Sequence, residues 1–295
     1  MQSELSLLSS PAWTDYELLD SGNGRKLERF GQNILNRPEH QAIWKQGLPE
    51  ENWQAADAIF KTTSGDEMGG SWKFDRSIAP WEMHYKDLHF RAQLSGSRHV
   101  GVFPEQATHW DWIAKLIREA NRSVSVLNLF GYTGLATLAA AHAGAKVTHV
   151  DASKKSVTWA RENQSLSNLD DRNIRWIIDD ALKFVLRENR RQARYDGLIL
   201  DPPKFGRGPK GEVWDCFEML PRLLEHCHSI LSSQPLFIVI TAYAIRASAL
   251  SLYYALSEMM KAEGGTLEAG ELITLERSKG RKLSMAIFSR WGSGK

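Results

Sequence analysis

The sequence predicts an α/β protein: a mostly parallel sheet covered by helices on both faces, closed by an antiparallel hairpin and preceded by a small, mostly β unit. Two observations predict it. From Ser123 onward, short apolar runs alternate with amphipathic or alanine-rich stretches, which is the pattern of strands joined by helical crossovers. Before that point the alternation is absent. Seven of the 11 tryptophans precede residue 113, and turn signals separate short segments.

In the first hundred residues, "YELLDSGNGRKLERFG" reads as two short strands around the turn Ser21-Gly22-Asn23-Gly24, with a second turn signal at Gly69-Gly70. "RPEHQAIW" reads as a short helix or turn. "KFDRSIAPWEMHYKDLHFRAQL" reads as further short strands broken at Ala79-Pro80. Residues 1–100 are therefore expected to form a β-rich accessory or substrate-docking domain with a lead-in segment, and residues 101–295 the main domain.

In that main domain, "VSVLNLF" (124–130) is an apolar strand and "LATLAAAHAG" (135–144) a helix ended by glycine. "KVTHVD" (146–151) is the second strand and "KKSVTWARENQSLSNL" (154–169) an amphipathic helix. "IRWII" (174–178) and "YDGLILD" (195–201) follow as strands, with "ALKFVLRENRRQA" a helix between them. A helix near 215–232, the strand "LFIVIT" (236–241) and a helix near 248–262 come next. "LEAGELITLERSKGRKLSMAIFSRW" closes the chain as two strands around a basic turn. Right-handed crossovers place every strand-to-helix loop at the carboxyl edge of the sheet.

The 295 residues, 42% hydrophobic and 24% charged, support one large domain or two unequal ones. No apolar run approaches the roughly 20 residues needed to span a bilayer, so no membrane partner is expected. The opening "MQSELSLLSSPAW" lacks the cationic and apolar segments of a signal peptide. Two cysteines, Cys216 and Cys227, make neither a disulfide framework nor a metal knuckle. A cytoplasmic location is expected. Residues 1–100 hold 11 Lys/Arg against 14 Asp/Glu, a balance of −3; residues 101–295 hold 26 against 21, a balance of +5. A polyanion is thus expected on the second part.

The chemistry lies at the strand ends. The first strand runs into "LNLFGYTGLAT", where Gly131 and Gly134 permit a tight turn and close approach of a ligand. The second ends at Asp151, twenty residues after Gly131, from which a carboxylate can hold the ribose hydroxyls of a nucleoside. The third ends in Asp179-Asp180-Ala181, where a carboxylate can accept from an adenine amino group or cap the next helix. A nicotinamide dehydrogenase uses similar logic, but its fingerprint is G-x-G-x-x-G and this loop is G-x-x-G. The fourth strand ends in "DPPKF", two prolines that cannot continue a ladder and that fix the backbone behind Asp201.

In that order, "NLFGYTG", "VDASKKSVTWARENQSLSN", "DDALKFV" and "DPPKF" resemble the class I S-adenosylmethionine-dependent methyltransferases. More closely, the chain resembles the branch holding the bacterial large-subunit ribosomal RNA cytosine-C5 methyltransferase and its guanine-N7 relative. "LSGSRHVGVFPEQATHW" resembles the segment that precedes the core there. The resemblance implies a Rossmann-like fold with a seven-stranded sheet and S-adenosylmethionine as cofactor. It implies cofactor contacts from Phe103, Phe130, Gly131, Thr133, Gly134, Asp151, Ala152, Asp180, Ala181 and Asp201, and chemistry at Asp201, Pro202 and Lys204.

Cytosine-C5 enzymes add a cysteine thiolate to the ring from a Thr-x-Ser-Cys segment after the fifth strand. Here that segment is "VITAYAIRAS", and Ala244 stands at the cysteine position. Cys216 and Cys227 lie on the preceding helix, where a cysteine is ordinarily a small core residue. The expected acceptor is therefore a nitrogen or oxygen, which already has a lone pair, with a base nitrogen in RNA the leading reading. RNA, ribosomal RNA foremost, is the expected partner, contacted by Phe205, Arg207, Lys210, Tyr243, Arg246, Lys279 and Arg281 on the cofactor's edge. A protein side chain or small molecule as substrate, and a catalytically silent binding fold, are the alternatives. The sequence sets no oligomeric state.

Overall fold

The computed structural model describes residues 4–9, 13–63 and 66–294. Parts of the opening stretch read above for a signal peptide lie outside these residues. Strand β1 (Ser6–Ser9) joins the large sheet, not the β-rich unit, and gives that sheet eight strands where seven were expected. Four residues of alternating burial are too short a pattern to reveal such a strand from sequence.

Two units divide the chain. One takes Ser9–Glu105 together with Ile273–Ser284. In it, β2 (Tyr16–Gly22) and β3 (Arg25–Phe30) form a hairpin over Asn23 and Gly24, whose φ angles are 52° and 73°. Strand β4 (Asn33–Pro38), helix α1 (Glu50–Gln54), β5 (Ala58–Thr63) and β6 (Asp66–Lys73) complete a sheet of order β2-β3-β4-β5-β6. Strands β7 (Trp81–Tyr85) and β8 (Leu88–Ala92) pair separately after the Ala79-Pro80 break. Residues 37–44 contain the turn and no helix. Gly69 and Gly70 sit inside β6 and form no turn; a Cβ on Gly70 would stand 2.3 Å from the Lys61 carbonyl oxygen, so the glycine serves close strand approach.

An ion pair is buried inside this unit. Glu28, fully buried, accepts from Arg37 Nε at 2.7 Å and Nη2 at 2.9 Å, and from the Tyr16 hydroxyl at 2.9 Å. Such a pair stabilises little against an apolar replacement, but breaking it strands a buried charge at about 3–5 kcal/mol.

The other unit takes Gln106–Leu272, with the described residues up to Leu8 and from Met285 on. Its elements are α2 (Ala107–Glu119), β9 (Ser125–Leu129), α3 (Leu135–His142), β10 (Lys146–Asp151), α4 (Lys154–Leu166), β11 (Ile174–Ile178), α5 (Ala181–Arg190) and β12 (Gly197–Leu200). They continue as β13 (Phe205–Arg207), β14 (Val213–Asp215), α6 (Cys216–His228), β15 (Phe237–Ala242), α7 (Ala249–Met259), β16 (Thr266–Leu275) and β17 (Lys282–Gly292). The sheet order is β1-β16-β17-β15-β12-β9-β10-β11. Strands β15, β12, β9, β10 and β11 pair in parallel, and β17 runs antiparallel to β15.

Successive side chains of each central strand enter opposite cores. Leu127, Leu129, Leu198, Leu200, Ile238 and Ile240 share one cluster with α5, α6 and α7. Val126, Ile199 and Val239 share the other with α2 and α3. Burial on both faces is why these strands read as continuous apolar runs without alternation.

Candidate active site

Parallel register brings the strand ends together. Leu129 pairs with Val150 and with Leu200, Leu200 with Ile240, and Asp151 with Ile178. The residues that follow, among them Phe130, Asp151, Asp180 and Asp201, therefore leave one edge of one sheet.

The loop after β9 has unusual backbone. Phe130, Tyr132 and Gly134 all have positive φ, at 58°, 48° and 85°. For a side-chain-bearing residue that conformation is uncommon and costs energy, so the surroundings must enforce it. They do. Gly131 N–H donates to Val150 O at 3.1 Å and Gly134 N–H to Gly131 O at 2.9 Å. Tyr132 N–H donates to Asp151 Oδ2 at 2.9 Å, and buried Asn163 donates to Thr133 O at 3.0 Å. Below the loop, Asn128 donates to Thr137 Oγ1 at 2.9 Å, and Thr137 shares a hydrogen bond of 3.0 Å with His149. A Cβ on Gly131 would stand 2.3 Å from that imidazole, so Gly131 is demanded by the fold itself. Thr133 is buried rather than displayed.

Asp151 is fixed by two backbone donors, Tyr132 N–H and Ser153 N–H, the latter to Oδ1 at 2.8 Å. Burial pushes its carboxyl up from the ordinary value, and the two donors act against that. Ala152 lies between Asp151 and Ser153. The Asp179-Asp180 pair divides its work: Asp179 is ion-paired with Arg187, while Asp180 caps α5 by accepting Lys183 N–H at 2.9 Å, with Ala181 buried behind it.

Asp201 closes the edge. Gln106, buried at the start of α2, donates to Asp201 Oδ2 at 2.7 Å. Of the two prolines, Pro202 is buried and Pro203 exposed. The Pro203 carbonyl accepts the Trp214 indole N–H at 2.7 Å, and the Lys204 carbonyl accepts Cys216 N–H at 3.0 Å. The Trp214 ring lies 4.7 Å from that of Phe130. The glycine loop and the diproline corner are thus packed on one indole. Nothing in the sequence marks Gln106, Trp214 or helix α2 as part of the site, because both contacts join residues distant in the chain or separated by a loop of no periodicity.

Past the corner, β13 and β14 form a small hairpin where a plain loop was expected. Lys183 Nζ lies 2.5 Å from Glu212 Oε1, and Glu212 Oε2 accepts Lys210 N–H at 2.8 Å. The Lys183 hydrogen bond holds the Glu212 carboxyl down to about 2. Gly206 and Trp214 share one register position, whereas Phe205, Arg207 and Val213 present their side chains outward; Phe205 is 57% exposed. Lys204, Arg207 and Lys210 are also exposed.

After β15, the half-buried Tyr243 packs against the cluster of Leu272, Ala286 and Phe288. Ala244 has φ 51° and Arg246 is exposed. Cys216 and Cys227 are buried, and burial pushes both thiols up. Phe103, Lys279 and Arg281 belong to the other unit. Phe103 packs there on His99 at 5.0 Å.

Three carboxylates and a tight backbone loop at one edge suit a ligand that carries hydroxyl and amino donors and a positive centre. Comparison with known proteins agrees. A family model described as S-adenosylmethionine-dependent methyltransferase matches residues 51–250. Proteins called ribosomal RNA large subunit methyltransferase K/L, from Shewanella frigidimarina and Shewanella oneidensis, are each 34% identical over 128 and 131 residues. Those stretches are 43% and 44% of this chain and 17% of either relative, so the chain spans less than a fifth of the curated relatives it matches. The crystal structure of a SAM-dependent methyltransferase from Agrobacterium tumefaciens is 46% identical, with a TM-score of 0.93 over 99% of this chain and 97% of that one. A methyltransferase from Streptococcus mutans shares the fold at 17% identity and a TM-score of 0.71, over 95% of this chain and 75% of that one.

Proposed function

Since the chain belongs to the S-adenosylmethionine-dependent methyltransferases, we propose that it methylates a base nitrogen in RNA, ribosomal RNA foremost. The observation that carries this reading is the Asp201-Pro202-Pro203 corner, clamped by Gln106 and Trp214, beside a segment with alanine at position 244. Bound S-adenosylmethionine supplies an electrophilic methyl group. Asp151 and Asp180 offer carboxylate acceptors to the hydroxyl and amino donors of such a cofactor, and the loop from Phe130 to Gly134 gives it a rigid floor. Asp201 would accept a hydrogen bond from the N–H of the target nitrogen, orient its lone pair toward the transferred methyl group, and take up the proton that methylation releases. Pro202 and Pro203 keep that carboxylate from drifting, which matters because a misplacement of about 1 Å can cost on the order of 10²-fold in rate. Phe205 offers a ring for an unstacked base, and Lys204, Arg207, Lys210 and Arg246 offer cations for phosphates. Two buried free cysteines agree with a reducing cytoplasm.

The names of the Shewanella relatives favour RNA over a protein or small-molecule substrate. The test is transfer of labelled methyl groups from S-adenosylmethionine to separated RNA, protein and metabolite fractions. Label is expected in RNA, and its absence there rejects the reading. In the same assay Cys216→Ala keeps full turnover, because a buried, protonated thiol does not attack a ring; loss of turnover would restore the cytosine-C5 mechanism.

A further inference from the structure

The basic turn between β16 and β17 changes the charge of the unit it joins. Ser9–Glu105 carries 11 Lys/Arg and 14 Asp/Glu; Ile273–Ser284 adds four cations and one carboxylate, making 15 of each. All four cations, Arg277, Lys279, Arg281 and Lys282, fall within six residues.

Within this unit the turn is seated on the loop that follows β4. Arg281 Nη1 donates to the carbonyls of Lys45 at 2.9 Å and Ser21 at 3.3 Å, and its guanidinium lies 5.8 Å from the centre of the Trp44 ring system. Trp44 in turn donates to Ser21 O at 3.1 Å. Ser278 Oγ donates to Asp20 Oδ1 at 2.6 Å, and Asp20 also accepts from Gly47 N–H, Leu48 N–H and the Trp53 indole. A Cβ on Gly47 would stand 2.8 Å from Lys279 Cγ, so the lysine stem lies along the loop.

Two carboxylates of this surface are turned inward. Asp20 and Glu276 are buried and bonded to N–H and O–H donors, and Glu17 is paired with Arg277 at 3.0 Å. Lys45, Lys279 and Lys282 are exposed residues. Trp44 is engaged by Arg281 and Ser21, which favours contact with phosphates over stacking on bases.

We propose that this surface, built jointly by the loop around Lys45 and the turn 277–282, docks the phosphodiester backbone of the RNA substrate without reading its sequence. The inference rests on the RNA reading above. Phosphate docking releases counterions, so binding weakens with salt at a slope of about 0.7 per phosphate neutralised on single strands.

The test is titration of a labelled single-stranded oligoribonucleotide with the full chain at several salt concentrations. Lys45→Gln/Lys279→Gln/Lys282→Gln is expected to bind more weakly and to lower the log–log salt slope by about 2, three contacts at about 0.7 each. The triple arginine variant restores both. Binding by the wild type with an unchanged slope in the glutamine variant overturns the proposal and leaves the RNA reading standing. Absence of RNA binding by the wild type removes both together.

Discussion

Asp201→Asn is expected to lower kcat by about 10²- to 10³-fold while the protein stays folded, a loss in the range that one positioned acid–base or polar group supplies. The substitution is nearly isosteric. Its amide oxygen can still accept from Gln106, which now donates to Asp201 Oδ2 at 2.7 Å. The amide NH2 is then left facing the substrate, where the proposed target also offers an N–H, and two donors meet. Affinity for S-adenosylmethionine should change far less than kcat, as calorimetry of cofactor binding would show. Equal turnover by the asparagine variant would remove Asp201 from the chemistry. Asp201→Ala is a poorer probe, because it leaves the buried Gln106 amide without its acceptor at a cost of about 1–3 kcal/mol in stability.

The second large effect is structural. Gly131→Ala is expected to destabilise the fold by about 1–3 kcal/mol, the usual cost of overpacking a core, and to weaken cofactor binding. The new methyl would stand 2.3 Å from His149 Cε1 and 2.5 Å from Nδ1. The imidazole has little room to retreat: Thr137 holds it at 3.0 Å, and its ring centre lies 4.6 Å from that of Trp176. Gly131 is not among the positive-φ glycines, so the penalty is steric and not conformational. Adding His149→Ala should recover much of the stability, giving a coupling that a double-mutant cycle in urea measures. Additive losses would mean that the clash is not the cause.

Much of this edge is legible in the sequence because strand ends announce themselves. Asp151 and Asp201 each terminate an apolar run, and Gly134 begins a helix; local rules of pattern and turn chemistry reach that far. Order along the chain then predicts the parallel sheet, since crossovers have one hand. The supports of the site are a different matter. Gln106 reaches Asp201 across 95 residues, and Asn163 reaches the Thr133 carbonyl across 30. A single polar side chain carries no periodicity to mark such a partner. Trp214 reads as one more aromatic in a glycine-rich loop, yet its indole joins Pro203 to Phe130. The seating of turn 277–282 was equally hidden. Strand direction gives the edge at which a hairpin turns, but not the unit on which its tip comes to rest, and here the tip is held by Asp20, Ser21 and Lys45.

The central claim is a base nitrogen as acceptor at the Asp201 corner, and nucleoside mass spectrometry tests it most directly. RNA from cells with and without the protein is digested, and methylated nucleosides are compared. One N-methylated base nucleoside should vanish with the gene and return with the wild-type chain, but not with Asp201→Asn. A lost nucleoside methylated on a ring carbon, or RNA with no change at all, would contradict the account.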